Sequence, residues 1–451
     1  MSQELKPFSF TYARSSAGVS LSHNLPYEPH QVIWLVGNSG SGKSTLLHLL
    51  KGFHPEFLAG NVSGHDPAVF KEAMYMAQNP ISQIVHERVG EEFFFTLENQ
   101  QATVESMDAA RHWLTEFGLQ DKELSATAQL SHGLAQRLVL ASQLAAEPAW
   151  LLLDEPTAFL NPAMRDEFYH ILKILKQRVG MVLIDHHPHA ATFADICWHV
   201  DAQGQITAMP VNEWMALQAQ DVQQEIKQPT DNWCVEPLND AFELSAHHVC
   251  IGHKKNPLFS ANFSLKSGEC AVLIGDNGSG KSTLFNTLAG MHRPLSGEFF
   301  LKKNGVHIKN TATEMAYVFQ HPDSHFYFDT IAEDLSQLGV MDMDATLAQI
   351  GLPHTATRSP HQLSEGQKRR LTLLYPCLQS RPLVLLDEPT FGQDAINTLR
   401  ITRLILALKH AGHMVIVITH ESVLQHTIAD QVWTIQYNAL NIVRTTDHAS
   451  H

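Results

Sequence analysis

Short apolar runs recur along the chain, each followed by its own polar punctuation. VIWLVG runs into a glycine-rich stretch and then into the helix-like STLLHLLKG. AMYMAQ, AWLLLDEP and GMVLIDH follow in order, separated by longer amphipathic stretches. The same succession then returns as AVLIG with STLFNTLAG, MAYVFQ, PLVLLDEP and HMVIVITH. Apolar runs of four to six residues alternating with helices predict strands buried on both faces, which is the pattern of a parallel sheet in an α/β core. Between the second run and the LS-x-G segment, residues 79–130 and 321–363 predict an inserted helical subdomain in each half.

The repetition is a matter of spacing as well as composition. Gly37 pairs with Gly275, Asp154 with Asp387, Ser131 with Ser364, His186 with His420 and Gln78 with Gln320. Each pair lies about 233–242 residues apart, in the same order. That predicts tandem homologous domains: a first domain over residues 1–226, a linker over 227–240 that is polar and carries prolines, and a second domain over 241–451.

Composition narrows the class. The 451 residues are 44% hydrophobic and 17% charged, enough for packed cores and against bulk disorder. The formal net charge of −15 argues against a nucleic-acid partner, which usually meets a basic surface. Five cysteines with no CxxC pair predict free thiols rather than a disulfide framework or zinc site. The 28 histidines follow no metal-ligand spacing. No apolar run approaches the ~18–20 residues of a membrane span, and MSQELKPFSF does not read as a secretory signal. The expectation is a cytoplasmic protein that reaches a membrane only through other chains.

Two stretches carry phosphate chemistry. GxxxxGK[ST] occurs at Gly37–Ser44 and Gly275–Ser282, each after a strand and before a helix. Backbone N–H groups and hydroxyls of Asn38, Ser39, Gly40, Ser41, Gly42 and Thr45, and of Asn277, Gly278, Ser279, Gly280 and Thr283, are placed to cradle phosphates. Lys43 and Lys281 would reach the β- and γ-phosphates, and Ser44 and Ser282 would put a hydroxyl on Mg2+. Asp154 and Asp387, ending apolar strands, suit Mg2+ binding. Glu155 and Glu388 follow them and suit a general base. LSHGL and LSEGQ open helices where Ser131, Gly133, Ser364, Gly366 and Gln367 could face a phosphate. Alone they read as N-caps.

Taken together, the order of motifs resembles the ABC (ATP-binding-cassette) ATPase family over nearly all of both halves. The resemblance implies two tandem ABC-type P-loop NTPase domains, each a parallel-sheet core with an inserted helical subdomain, that bind ATP and Mg2+ and hydrolyse ATP. It implies that the signature of one half closes on the ATP held by the other, making an intramolecular pseudo-dimer with two composite sites. Gln78 and Gln320 resemble the Q-loop residues, also near Mg2+. His186 and His420 resemble the switch histidines, with His187 a rival to His186. Tyr12 aligns with the aromatic that stacks on adenine, and Asp394 with the D-loop aspartate.

On this alignment the sites differ. The Lys43 site, completed by Ser364, departs only at Glu365. The Lys281 site, completed by Ser131, departs at Leu134, Asn161 and Ile251, the last standing where the stacking aromatic is expected. The expectation is that both bind ATP and the first hydrolyses it more strongly.

The segments after the glutamines, QNPISQ and QHPDSH, resemble the QNPDDQ-type stretch of energy-coupling-factor (ECF) transporters and related cobalt and nickel importers. Asn79, Pro80 and Gln83 are kept in one half, and Pro322 and Asp323 in the other, where His321 and His325 replace Asn and Gln. The resemblance implies a transmembrane T component and a substrate-capturing S component, for a vitamin or metal ion, on the cytoplasmic face of the cell membrane. The alternatives are the ATPase of another importer, such as a sugar type, and a soluble ABC-F-like translation factor. The latter usually carries a long charged linker, unlike the short mixed one here.

Overall fold

The computed structural model describes residues 3–13, 17–38, 40–99, 103–158, 160, 162–227, 235, 237–253, 256–276, 278–308, 311–363 and 365–445. Ser39, Asn161, Asn277, Ser364 and most of the 227–240 linker lie outside the described residues. The chain divides into two compact units, Met1–Asp221 and Val222–His451.

In the first unit, a six-stranded sheet holds the strands in the order Ile206–Met209, Ile196–Val200, Val32–Val36, Gly180–Ile184, Trp150–Asp154 and Met74–Met76. All neighbours are parallel except the edge strand Ile206–Met209. Leu151, Leu152, Leu153, Met181, Val182, Leu183 and Ile184 are fully buried. Both faces of these central strands are covered, which is why they read as unbroken apolar runs.

The second unit repeats this order, with Gln431–Gln436, Cys270–Gly275, Met414–Ile418, Leu383–Asp387 and Met315–Val318 as successive parallel neighbours. Trp198 and Trp433 occupy equivalent places. Each is buried and lies in register with the strand that precedes the glycine loop, opposite Leu35 and Leu273.

Each unit also carries antiparallel strands that the alternation of apolar runs did not predict. In the first they form separate small sheets, with Phe8–Tyr12 between Gly18–Leu21 and Gly60–Gly64. In the second, the long strands Phe242–His253 and Asn256–Lys266 extend the main sheet to ten strands through the pair Ser260↔Ala439. The inserted region after each glutamine is helical but broken. It comprises Val89–Asn99, Val104–Ala110 and His112–Glu116 in one unit, and Ile331–Gln337 and Met343–Gln349 in the other, with 3-10 turns between. The helices His132–Ala145 and Glu365–Gln379 then lead back to the core. Because the core strands run parallel, the glycine loop, the Asp-Glu pair and the histidine all emerge at the same carboxyl edge, where ligands bind in open α/β sheets.

Candidate nucleotide sites

The glycine loop of the first unit curls back on itself. Gly42, at the N-cap of helix Lys43–Lys51, takes φ +107°. A Cβ there would meet Val19 Cγ1 at 2.5 Å, so glycine alone permits both the turn and the close approach. Lys43 Nζ donates to the carbonyls of Gly37 (2.8 Å) and Asn38 (3.0 Å). Lys281 Nζ donates likewise to Gly275 (2.6 Å) and Asp276 (3.1 Å). In both loops a buried hydroxyl, Ser41 or Ser279, has no hydrogen-bond partner among the described residues. An orphan donor beside a fixed ammonium, at the start of a helix, fits a phosphate. Gly40 and Gly278 lie on the same loops, and Thr283 in the helix Lys281–Leu288.

The acids stand opposite. Ser44 Oγ donates to Asp154 Oδ1 (3.3 Å). Burial, then the adjacent Glu155, pushes the Asp154 carboxyl up to about 7. Burial also raises Asp387, with Lys281, Tyr317 and Ser282 among the groups that oppose the rise. Burial, then Asp387, pushes Glu388 up to about 8. Adjacent buried carboxylates beside a hydroxyl are a poorly neutralised, all-oxygen donor set, and this suits a hydrated divalent cation. Ser44, Gln78 and Asp154, and Ser282, Gln320 and Asp387, would hold Mg2+, which neutralises charge on a transferring phosphoryl group.

Glu155 is held at both oxygens. Gln78 Nε2 donates to Oε2 (2.6 Å) and His186 Nε2 lies 3.2 Å from Oε1. In the second unit His420 Nε2 lies 3.5 Å from Glu388 Oε1, and among the described residues no bond from Gln320 to Glu388 matches the one from Gln78. Both glutamates take a left-handed backbone, φ +46° for Glu155 and +49° for Glu388. That conformation is costly for a residue with a side chain and typical of functional turns. A backbone bond to the histidine strand, Glu155 N to Ile184 O (2.9 Å) or Glu388 N to Ile418 O (3.0 Å), helps fix each.

The rival histidine faces elsewhere. His187 stacks on His189 with ring centroids 4.8 Å apart and lies near Tyr169. Burial, then Arg165 and His189, lowers it to about 4. Its neutral Nδ1 accepts from His189 N (3.3 Å). His186→Ala is therefore expected to lower ATP turnover by roughly 100-fold, and His187→Ala by less than about threefold. Steady-state ATPase assays of the two variants check this, and equal losses would refute the assignment.

The remaining candidates fall as follows. Tyr12 Oη is 2.7 Å from Thr45 Oγ1, which sets its half-buried ring beside the glycine loop. Ile251 is fully buried in the core, so it presents no surface to a ring. Ser131 caps its helix by accepting from Leu134 N (3.4 Å), and makes no hydrogen bond to the Lys43–Glu155 cluster of its own unit among the described residues. Gly133 is packed so closely that a Cβ would meet Met164 Cε at 1.6 Å. Gly366 is buried and Gln367 half-buried at the start of helix Glu365–Gln379. Asp394 caps helix Ala395–His410, with its oxygens on Asn397 N (2.8 Å) and Nδ2 (3.1 Å).

A pair of tyrosines escaped the reading of the sequence. Tyr75 Oη and Tyr317 Oη each lie 3.5 Å from Oδ2 of Asp154 and Asp387. Each tyrosine sits three residues before its glutamine, a coincidence visible in AMYMAQ and MAYVFQ. His325, which the sequence shows in place of the usual glutamine, keeps that residue's role. Gln83 Oε1 accepts from Ala77 N (2.7 Å), and His325 Nε2 accepts from Phe319 N (2.9 Å) at the equivalent place. Burial lowers His325 to about 4, which keeps it a neutral acceptor.

The ABC transporter family model matches residues 22–158 and 258–391. The chain belongs to this family of ATP-binding ATPases, and two copies of the domain lie in tandem. It is 29% identical to the "Putative HMP/thiamine import ATP-binding protein YkoD" of Bacillus subtilis (strain 168), over 97% of this chain and 90% of the relative. It is 30% identical to the "Putative ABC transporter ATP-binding protein BT9727_3105" of Bacillus thuringiensis subsp. konkukian (strain 97-27), over 93% and 87%. Among solved structures it is similar in fold to "RNase-L Inhibitor", with a TM-score of 0.63 and 19% identity over 96% of this chain and 89% of that one.

Proposed function

We propose that the chain is the ATP-hydrolysing subunit of an ECF-type importer for a vitamin or metal ion. In this reading it comprises a first cassette over 1–226, a linker over 227–240 and a second cassette over 241–451. Each signature motif serves the other half's ATP, Glu155 and Glu388 polarise the attacking water, and Gln78, Gln320, His186 and His420 orient it. The T component anchors the chain at the cytoplasmic face, and the S component captures the substrate.

The carrying observation is the pair of segments that follow the glutamines. Asn79 caps the 3-10 turn Pro80–Gln83, and Gln83 and His325 tie the two segments back to their strands in the same way. Both leave apolar side chains in water nearby: Ile81 and Val85 in one unit, Tyr327 and Phe328 in the other. Apolar side chains left exposed beside a nucleotide-linked turn support docking of helices from a membrane subunit. No helix among the described residues is long and apolar enough to cross a membrane, so a partner would supply the span. The import role printed for the Bacillus subtilis relative supports the same reading.

Affinity purification of the tagged chain from detergent-solubilised source cells tests it. A very hydrophobic integral-membrane subunit is expected to co-purify. Ribosomes or nucleic acid in its place would sink the proposal in favour of a translation factor.

A further inference from the structure

From the helix Glu365–Gln379, Arg369 reaches the turn that follows strand Leu383–Asp387. Arg369 is 5% exposed, which is rare for an arginine. Its Nη1 donates to the carbonyl oxygen of Glu388 (2.8 Å), and its guanidinium lies over the ring of Phe391, 5.2 Å from the centroid. The same carbonyl also accepts from Phe391 N (3.2 Å), closing the turn that follows the glutamate. Arg369 therefore grips both ends of that turn, at the residue whose left-handed backbone most needs holding.

The first cassette supplies an internal comparison. Its equivalent turn is closed by Ala158 N donating to Glu155 O (3.1 Å). Gln136, also buried, stands at the place of Arg369, and Ala158 at the place of Phe391. The cation and the ring beneath it are present together in one half and absent together in the other, as expected of two side chains that act as a unit. The first cassette instead steadies the glutamate side chain through Gln78, a bond with no counterpart from Gln320 among the described residues. Each half thus supports its glutamate from a different direction.

We propose that Arg369, seated on Phe391, is a positioning residue for Glu388: it fixes the backbone of the second catalytic turn and so aims that carboxylate at its water. This rests on Glu388 being the base of the Lys281 site. The hydrogen bond from Arg369 Nη1 falls on the backbone carbonyl of Glu388. It holds the peptide whose orientation sets the direction of the Glu388 side chain.

The test uses the full chain with its co-purifying subunits and two backgrounds. In Glu155→Gln the remaining turnover comes from the Glu388 site, and in Glu388→Gln from the Glu155 site. Adding Arg369→Gln to the first background is expected to lower kcat about tenfold while KM for ATP changes by less than about twofold. Arg369→Lys is expected to restore at least roughly half of that loss, because an ammonium can still donate to the Glu388 carbonyl. Phe391→Ala, which leaves the hydrogen bond in place, is expected to cost about threefold in the same background. In the Glu388→Gln background, Arg369→Gln is expected to leave kcat within about twofold. Equal losses in both backgrounds would show a general structural role. A loss confined to Glu388→Gln would show that Arg369 acts through the neighbouring signature motif. Either result overturns the proposal. If neither glutamate substitution alone reduces turnover, the catalytic reading itself fails, which is a separate outcome. Should Arg369→Gln not fold, Phe391→Ala in the two backgrounds decides alone: a loss in both, or in neither, overturns the proposal.

Discussion

Glu155→Gln is expected to lower kcat for ATP by roughly 100- to 1,000-fold, the range lost with a positioned general base, and Glu388→Gln by less. The amide keeps the shape of the carboxylate and can still meet Gln78 and His186, so the fold survives and the loss reports on chemistry. The ranking comes from geometry. Glu155 is fixed at both oxygens, at 2.6 and 3.2 Å, whereas Glu388 has His420 at 3.5 Å and, among the described residues, no bond from Gln320. Tyr12 sets a ring beside the first glycine loop, while Ile251 is sealed in the core. A lost stacking partner costs about 0.5–1.5 kcal/mol of adenine binding. Steady-state ATPase rates of the two variants in the assembled complex are the measurement. A larger loss from Glu388→Gln would reverse the order.

Trp433→Ala is expected to destabilise the second cassette by about 3–5 kcal/mol, a large share of the stability of any domain. The indole is fully buried. It packs on Phe263 with centroids 4.3 Å apart, and its Nε1 donates to Gln431 Oε1 (2.9 Å). Removal leaves a cavity beside Leu273, on the strand that feeds the Lys281 loop, and strands Gln431 without its donor. Urea unfolding followed by circular dichroism should show an early transition for this cassette. A shift worth less than about 1 kcal/mol would mean that the surrounding strands collapse onto the gap.

Much of this was legible in the order of residues, for physical reasons that also explain what was not. Strands such as Leu151–Leu153 and Val415–Val417 are buried on both faces, so their apolar runs stand out. The glycine loops are legible because a left-handed backbone and a buried ammonium leave few residue choices. The antiparallel strands Phe8–Tyr12 and Phe242–His253 went unread because one-sided burial dilutes their pattern with polar positions. Arg369, Phe391 and Tyr75 were missed because the contacts that give them meaning join separate elements, and a linear string does not show them. His325 was read as replacing a glutamine; what the string does not show is that it supplies the same acceptor, here to Phe319 N.

The left-handed backbones of Glu155 and Glu388 have a consequence for engineering. At φ +46° and +49° glycine is at ease where glutamate is strained, and it buries no carboxylate. A library screened on heat resistance alone would favour glycine at these two positions. If the two glutamates act as proposed, it would deliver tougher molecules that turn nucleotide over poorly. Selection for durability and selection for work thus pull in opposite directions at the same two peptides, and a screen for an improved variant must score both.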